Sequence, residues 1–99
     1  MEKVLCGANA SNMKYYFNEA EFGILPAAVK DELKILLIKF LSDVGGAVTL
    51  QFDDEGKLTI TTYEPIDEIG AELKVSEMQR KNEELFRQLE EFYRAFAGK

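Results

Sequence analysis

The stretch that decides the fold is DEIGAELKVSEMQRKNEELFRQLEEFYRAFA, residues 67–97. It contains no proline and is rich in residues of high helix propensity. Apolar side chains recur along it at three- and four-residue spacing, the period of one helix face. The stripe consists of Ala71, Val75, Met78, Asn82, Leu85, Leu89, Phe92 and Phe96, widened by Phe86 and Tyr93. The pattern predicts a long C-terminal helix.

Two positions are candidate starts for this helix. Asp67 is a suitable cap, and Ser76 with Gln79 resembles a capping box. An unbroken helix over 67–97 would be about 46 Å long, whereas strands of seven or eight residues extend about 23–27 Å. The far end would then overhang the domain. Such an exposed apolar end predicts an interface with a second copy of the chain. That interface would consist of Phe86, Leu89, Phe92, Tyr93 and Phe96. With the start at Ser76, the same residues would cover their own sheet.

The rest of the chain predicts two β-hairpins and one further helix. Alternating apolar and polar residues predict strands over 2–8, 13–17, 47–53 and 57–64, and residues 18–25 read as an irregular link. A helix is predicted over 26–44, with proline in its first turn and Gly45-Gly46 at its end. This order predicts one α+β domain over 1–99, a four-stranded antiparallel sheet with two helices on one face.

Two isoleucines of the helix over 26–44 fall outside its main apolar stripe. Ile35 and Ile38 suggest a helix that is covered on more than one side. A chain of 99 residues can hardly arrange that alone. They are a second reason to expect assembly.

Composition narrows the classes of partner. The chain carries 18 acidic and 12 basic residues, a net charge of −6, and the basic residues are interspersed with acids. Binding to nucleic acid or to an anionic membrane is therefore not expected, since both need a clustered basic face. No stretch has the length of a secretory leader or a membrane span. We expect a cytoplasmic protein.

The sequence offers no catalytic, cofactor or metal site. It has no histidine, the side chain best suited to acid–base work near neutrality. Its single cysteine, Cys6, is expected to be a buried and inert strand thiol. The acidic run Asp53-Asp54-Glu55 is expected to be a solvated hairpin tip.

Five short segments resemble a family of short, uncharacterised proteins from clostridial-type bacteria. They are MEKVLCGAN at 1–9, KYYFN at 14–18, DVGG at 43–46, DEIG at 67–70 and EFYR at 91–94. The resemblance implies a bacterial, cytoplasmic, stand-alone domain. The resemblance assigns no functional role to any residue of this chain.

Two functional hypotheses follow. The first is a non-enzymatic interaction or regulatory module that forms a homodimer through its C-terminal helix, or that docks an unknown protein partner on the same surface. The alternative is a small-molecule-binding domain or minor enzyme with a pocket between sheet and helices. Asn9, Tyr15 and Tyr16 would be the polar and aromatic contributors to such a pocket.

Overall fold

The computed structural model describes residues 3–97. Its elements in chain order are β1 (Lys3–Asn9), β2 (Lys14–Phe17), α1 (Glu19–Phe22), α2 (Ala27–Val44), β3 (Ala47–Phe52), β4 (Leu58–Tyr63), α3 (Glu68–Lys81) and α4 (Glu83–Ala97). The strands form one sheet in the order β2-β1-β3-β4, antiparallel throughout. The predicted α+β fold is confirmed. Glu2, where the sequence predicts the first strand to begin, lies outside the described residues.

The two faces of the sheet differ in burial because cross-strand partners share a face. One row across all four strands pairs Phe17, Cys6, Leu50 and Ile60. These side chains belong to, or pack against, a single core cluster that also contains the buried stripe of α2: Leu33, Leu37, Phe40 and Val44. The next row pairs Tyr16, Gly7, Thr49 and Thr61, and these residues lie on the opposite, open face of the sheet.

A bulge in β1 changes the alternation that the sequence predicts there. The register with β3 shifts between Val4 and Cys6, so Leu5 has no partner of its own. An extra residue lets two neighbours point to the same side. Leu5 and Cys6 are accordingly both fully buried, while Val4 is only half-buried.

The predicted helix over 26–44 is confirmed to within one residue as α2. Gly45 ends it at a φ of +74°, a conformation that favours glycine. The link over 18–25, however, contains the short helix α1, which the sequence pattern does not predict. Asn18 accepts a hydrogen bond from the Glu21 N–H and donates one to the Val4 carbonyl, at 3.3 and 2.8 Å. This anchoring holds Phe22 in the core.

The predicted C-terminal helical stretch is confirmed, but it is not continuous, because one residue interrupts it. Of the two candidate starts, the one at Asp67 is confirmed, but the helix ends at Lys81 and a second one begins at Glu83. Asn82 lies between them, and its backbone N–H and side-chain amide both donate to the Met78 carbonyl, at 3.1 and 2.9 Å. An asparagine side chain that bonds nearby backbone competes with helix continuation. The longest dimension of the structure, 39 Å, is shorter than the about 46 Å of the unbroken helix.

Helix α4 packs against the sheet instead of overhanging it. The Tyr93 ring stacks on Phe52 of β3 with centroids 4.2 Å apart. The Glu90 carboxylate accepts a hydrogen bond from the Leu58 N–H at 2.8 Å, at the free edge of β4. Its apolar stripe thus completes the domain's own core.

Candidate functional site

The five residues predicted as an interface lie on α4 and differ in burial. Phe86 and Leu89 are buried in the core of their own chain, and Phe92 and Tyr93 are half-buried. Phe96 is 59% exposed. Because α4 packs on its own sheet, the overhang that supported this interface is absent. As an interface the set stays a prediction, with one largely exposed aromatic ring among its members.

The outer face of α2 carries the isoleucines that the sequence singles out. Ile35 is 58% exposed and Ile38 is 48% exposed, on the side of the helix away from its buried stripe. Glu32 and Lys39, seven residues apart, lie on one flank of this pair and are exposed. Among residues 3–97 neither of the two forms an ion pair. Two uncovered aliphatic side chains thus lie beside two unpaired, opposite charges.

The other flank of α2 borders a cleft, which we call the hairpin cleft. It lies between α2 and the β1–β2 hairpin and has a volume of about 430 Å³. Its apolar lining comprises Ala8, Met13, Tyr15, Ile38 and Leu41. Its polar lining comprises Asn9, Lys14, Lys34 and Ser42.

The turn at the mouth of the cleft is held by asparagine side chains. Asn9 Oδ1 accepts hydrogen bonds from the N–H and hydroxyl of Ser11, at 2.9 and 2.7 Å, and Asn12 Oδ1 accepts from the Lys14 N–H at 3.1 Å. The turn forces Met13 to a φ of +55°, a left-handed conformation uncommon for residues other than glycine. The Met13 side chain is also 88% exposed. An apolar side chain in a strained position therefore lies at the edge of the cleft.

Lys14 and Lys34 are the basic residues that line the hairpin cleft. Lys34 Nζ lies 5.8 Å from the centroid of the Tyr15 ring, within cation–π range. In the described part of the chain, neither Lys34 nor Lys14 forms an ion pair. No carboxylate side chain is among the cleft's lining residues. The lining therefore contains two basic residues and no acidic one, although the chain as a whole is acidic.

Behind the cleft, Tyr15 reaches the buried thiol of Cys6. Burial raises the pKa of the Cys6 thiol to about 12, and the neighbouring Tyr15 hydroxyl opposes that rise only in part. Burial, followed by the neighbouring thiol, also raises the pKa of Tyr15. The Tyr15 hydroxyl is buried yet makes no hydrogen bond of regular geometry within residues 3–97. A thiol that stays protonated is a poor nucleophile, so this pair does not form a catalytic centre.

The structure places all three residues that the sequence offers for a pocket along one open depression of about 590 Å³, on the face of the sheet where Tyr16 lies opposite Gly7. Only Asn9 and Tyr15 also line the hairpin cleft. Lys34 and Met13 are not among the residues predicted from the sequence. Lys34 could have been found from its position one turn before Ile38, but the left-handed conformation of Met13 leaves no sequence signal.

The acidic tip of the β3–β4 hairpin contributes hydrogen bonds that stabilise the turn itself. Asp53 Oδ1 accepts hydrogen bonds from the N–H groups of Glu55 and Lys57, both at 2.9 Å. Across the described residues, no group of three or more potential metal ligands comes together. Between residues 3 and 97 there is also no helix with the length and apolar character needed to cross a membrane.

These features define a small two-layer α+β domain with an uncovered helix face and an adjoining cleft lined by two lysines. The chain belongs to the family of unknown function DUF6145, whose model matches residues 2–99. No curated protein and no solved structure matches it. The family description names no activity, so functional proposals rest on the geometry.

Proposed function

We propose that this protein is a non-enzymatic interaction module that forms a homodimer through the outer face of α2. The observation that carries the proposal is the exposure of Ile35 and Ile38, side by side on a helix whose remaining large apolar side chains are buried or half-buried. Exposed apolar side chains grouped on one element commonly mark interfaces. The single cysteine, buried and without a second thiol, suits a reducing compartment, and the proposal places the module in a bacterial cytoplasm.

The charges beside the isoleucines support a second copy as the occupant. In a two-fold dimer with antiparallel α2 helices, the axis would pass midway between Ile35 and Ile38, so each packs on the other residue of the second copy. The same operation places Glu32 beside Lys39 of the second copy, twice per dimer. One flank of the helix is therefore electrostatically complementary to itself.

The expected dimer is weak. Covering four isoleucines that are each about half exposed contributes roughly 3–6 kcal/mol, while association costs at least about 4 kcal/mol in lost freedom. The two ion pairs, each worth about 0.2–1 kcal/mol, add to this gain. These amounts leave at most about 4 kcal/mol of net binding free energy, so we expect a dissociation constant on the order of 1 mM.

Reversing the flanking charges tests this arrangement. Glu32→Lys or Lys39→Glu alone turns two attractions into two repulsions and should weaken the dimer by about 2 kcal/mol, roughly thirtyfold. The double variant Glu32→Lys/Lys39→Glu restores opposite charges and should restore the wild-type dissociation constant. Sedimentation equilibrium measures the dissociation constants of the two single variants and of the double variant.

A matched control is Glu72→Lys, which makes the same charge change at an exposed position of α3. It should leave the dissociation constant unchanged. Failure of the double variant to recover would contradict the antiparallel pairing. Loss of the dimer in Phe96→Glu, with the α2 variants unaffected, would assign the interface to the C-terminal helix.

A further inference from the structure

We propose that the hairpin cleft binds an amphipathic carboxylate, in which one carboxylate is joined to an aliphatic body. This goes beyond the proposed dimer, because it assigns a ligand to the cleft on the Lys34 and Leu41 side of α2, which meets the proposed dimer surface at Ile38. Lys34 and Leu41 border the cleft, whereas Glu32 and Lys39 lie on the far side of the isoleucines.

The shape and lining of the cleft select the apolar part of the ligand. Its volume of about 430 Å³ falls within the usual range of small-molecule sites. The walls are contributed by the Tyr15 ring and by aliphatic or thioether side chains of both α2 and the hairpin, notably Leu41 and Met13. An unbranched or lightly branched hydrocarbon can contact both walls.

The charges select the head group. Lys14 comes from the hairpin and Lys34 from the helix, and both ammonium groups lack an ion-pair partner among residues 3–97. The carboxylates of Asp31 and Glu19 lie near enough to Tyr15 to raise its pKa, yet neither lines the cleft. Because a carboxylate accepts charge-assisted hydrogen bonds from ammonium groups, an anion is favoured here over a neutral or cationic ligand.

Met13 is the observation that points to a ligand independently of charge. A glycine or asparagine would adopt its φ of +55° at lower cost, and the side chain is left 88% exposed. The backbone strain and the exposed side chain both raise the free energy of the protein without a ligand. A hydrocarbon in the cleft would cover the Met13 side chain, and its binding would offset both costs.

The test uses sodium decanoate below the concentration at which it forms micelles. We expect saturable binding with shifts of the Met13 and Leu41 methyl resonances, and an affinity that falls twofold to fourfold for each methylene removed toward hexanoate. Decanol and decylammonium should bind at least about tenfold more weakly, because they lack the anion.

Variants locate the site. Lys14→Gln and Lys34→Gln should each weaken decanoate binding about tenfold and leave decanol unaffected. Lys57→Gln, a lysine outside the cleft, is the matched control and should change nothing. Met13→Gly should raise the unfolding midpoint by relieving strain yet weaken decanoate binding, a split that a merely structural residue would not produce.

Four results would overturn the proposal: no saturation, equal binding of the three head groups, insensitivity to both lysine substitutions, or binding to phosphatidylglycerol vesicles without binding to free decanoate. The dimer is tested separately, because Glu32→Lys should bind decanoate as the wild type does. Failure of one proposal therefore leaves the other standing.

Discussion

Cys6 illustrates how a residue that resembles a functional one is held inactive by its surroundings. It is fully buried in β1, next to Leu5 at the bulge. Its thiol faces a tyrosine hydroxyl and no cationic group, so nothing stabilises the thiolate, and burial raises the pKa from 9.0 to about 12. The residue contributes to packing.

This burial predicts a loss of stability in alkali. The unfolded thiol ionises near pH 9.0 while the folded one stays protonated to about pH 12. Stability from this residue is therefore intact below pH 9 and falls as the pH rises between the two values. Between pH 8 and pH 10 the wild type should lose about 1.4 kcal/mol more free energy of unfolding than Cys6→Ala. Urea unfolding at both pH values measures the difference, and equal losses would show that the thiol is solvated.

At the scale of the element, α4 belongs to the core of the domain. Phe86 and Leu89 are buried on it, and Tyr93 stacks on β3. The interruption between α3 and α4 is confined to Asn82, whose side-chain amide and backbone N–H both donate to the Met78 carbonyl.

Alanine substitutions along α4 should separate buried from exposed residues. Phe86→Ala should cost about 3–5 kcal/mol and Leu89→Ala about 2–5 kcal/mol, because each leaves a cavity. Phe96→Ala should cost under about 1 kcal/mol, since its ring is mostly in water. Denaturant unfolding gives the three values. A Phe96 effect as large as that of Leu89 would contradict the packing described here.

The elements that could be predicted are those whose residues carry a local signal. Proline, a long apolar stripe and Gly45 bound α2, and the turn residues with Gly56 at a φ of +80° mark the β3–β4 hairpin. The break at Asn82 could not be predicted, because the apolar stripe continues through it in the sequence. Whether asparagine interrupts a helix depends on the tertiary packing that the turn allows, here the stacking of Tyr93 on Phe52.

At the scale of the whole molecule, the sequence predicts the composition of the sheet but not the order of its strands. The alternation of apolar and polar residues marks four strands. Which of these strands lie next to each other in the sheet is decided by how α2 crosses it. For the same reason the hairpin cleft was only partly foreseeable: Asn9 and Tyr15 are named from their residue types, but Lys34 joins them only once α2 lies over β1.

The sequence does indicate correctly that α2 has apolar residues which a single chain leaves uncovered. Ile35 and Ile38 are exposed in the structure, while the terminal aromatic residues that first suggested assembly are mostly covered. The reason to expect a second copy therefore moves from the C-terminal helix to α2.

Light scattering of the wild-type protein over a range of concentrations tests this claim most directly. The account predicts a weight-average mass about halfway between one and two chains of 11.2 kDa at about 1 mM, which falls to one chain near 10 µM. A mass of one chain throughout that range would mean that the outer face of α2 remains in water, and the proposed interface would be wrong.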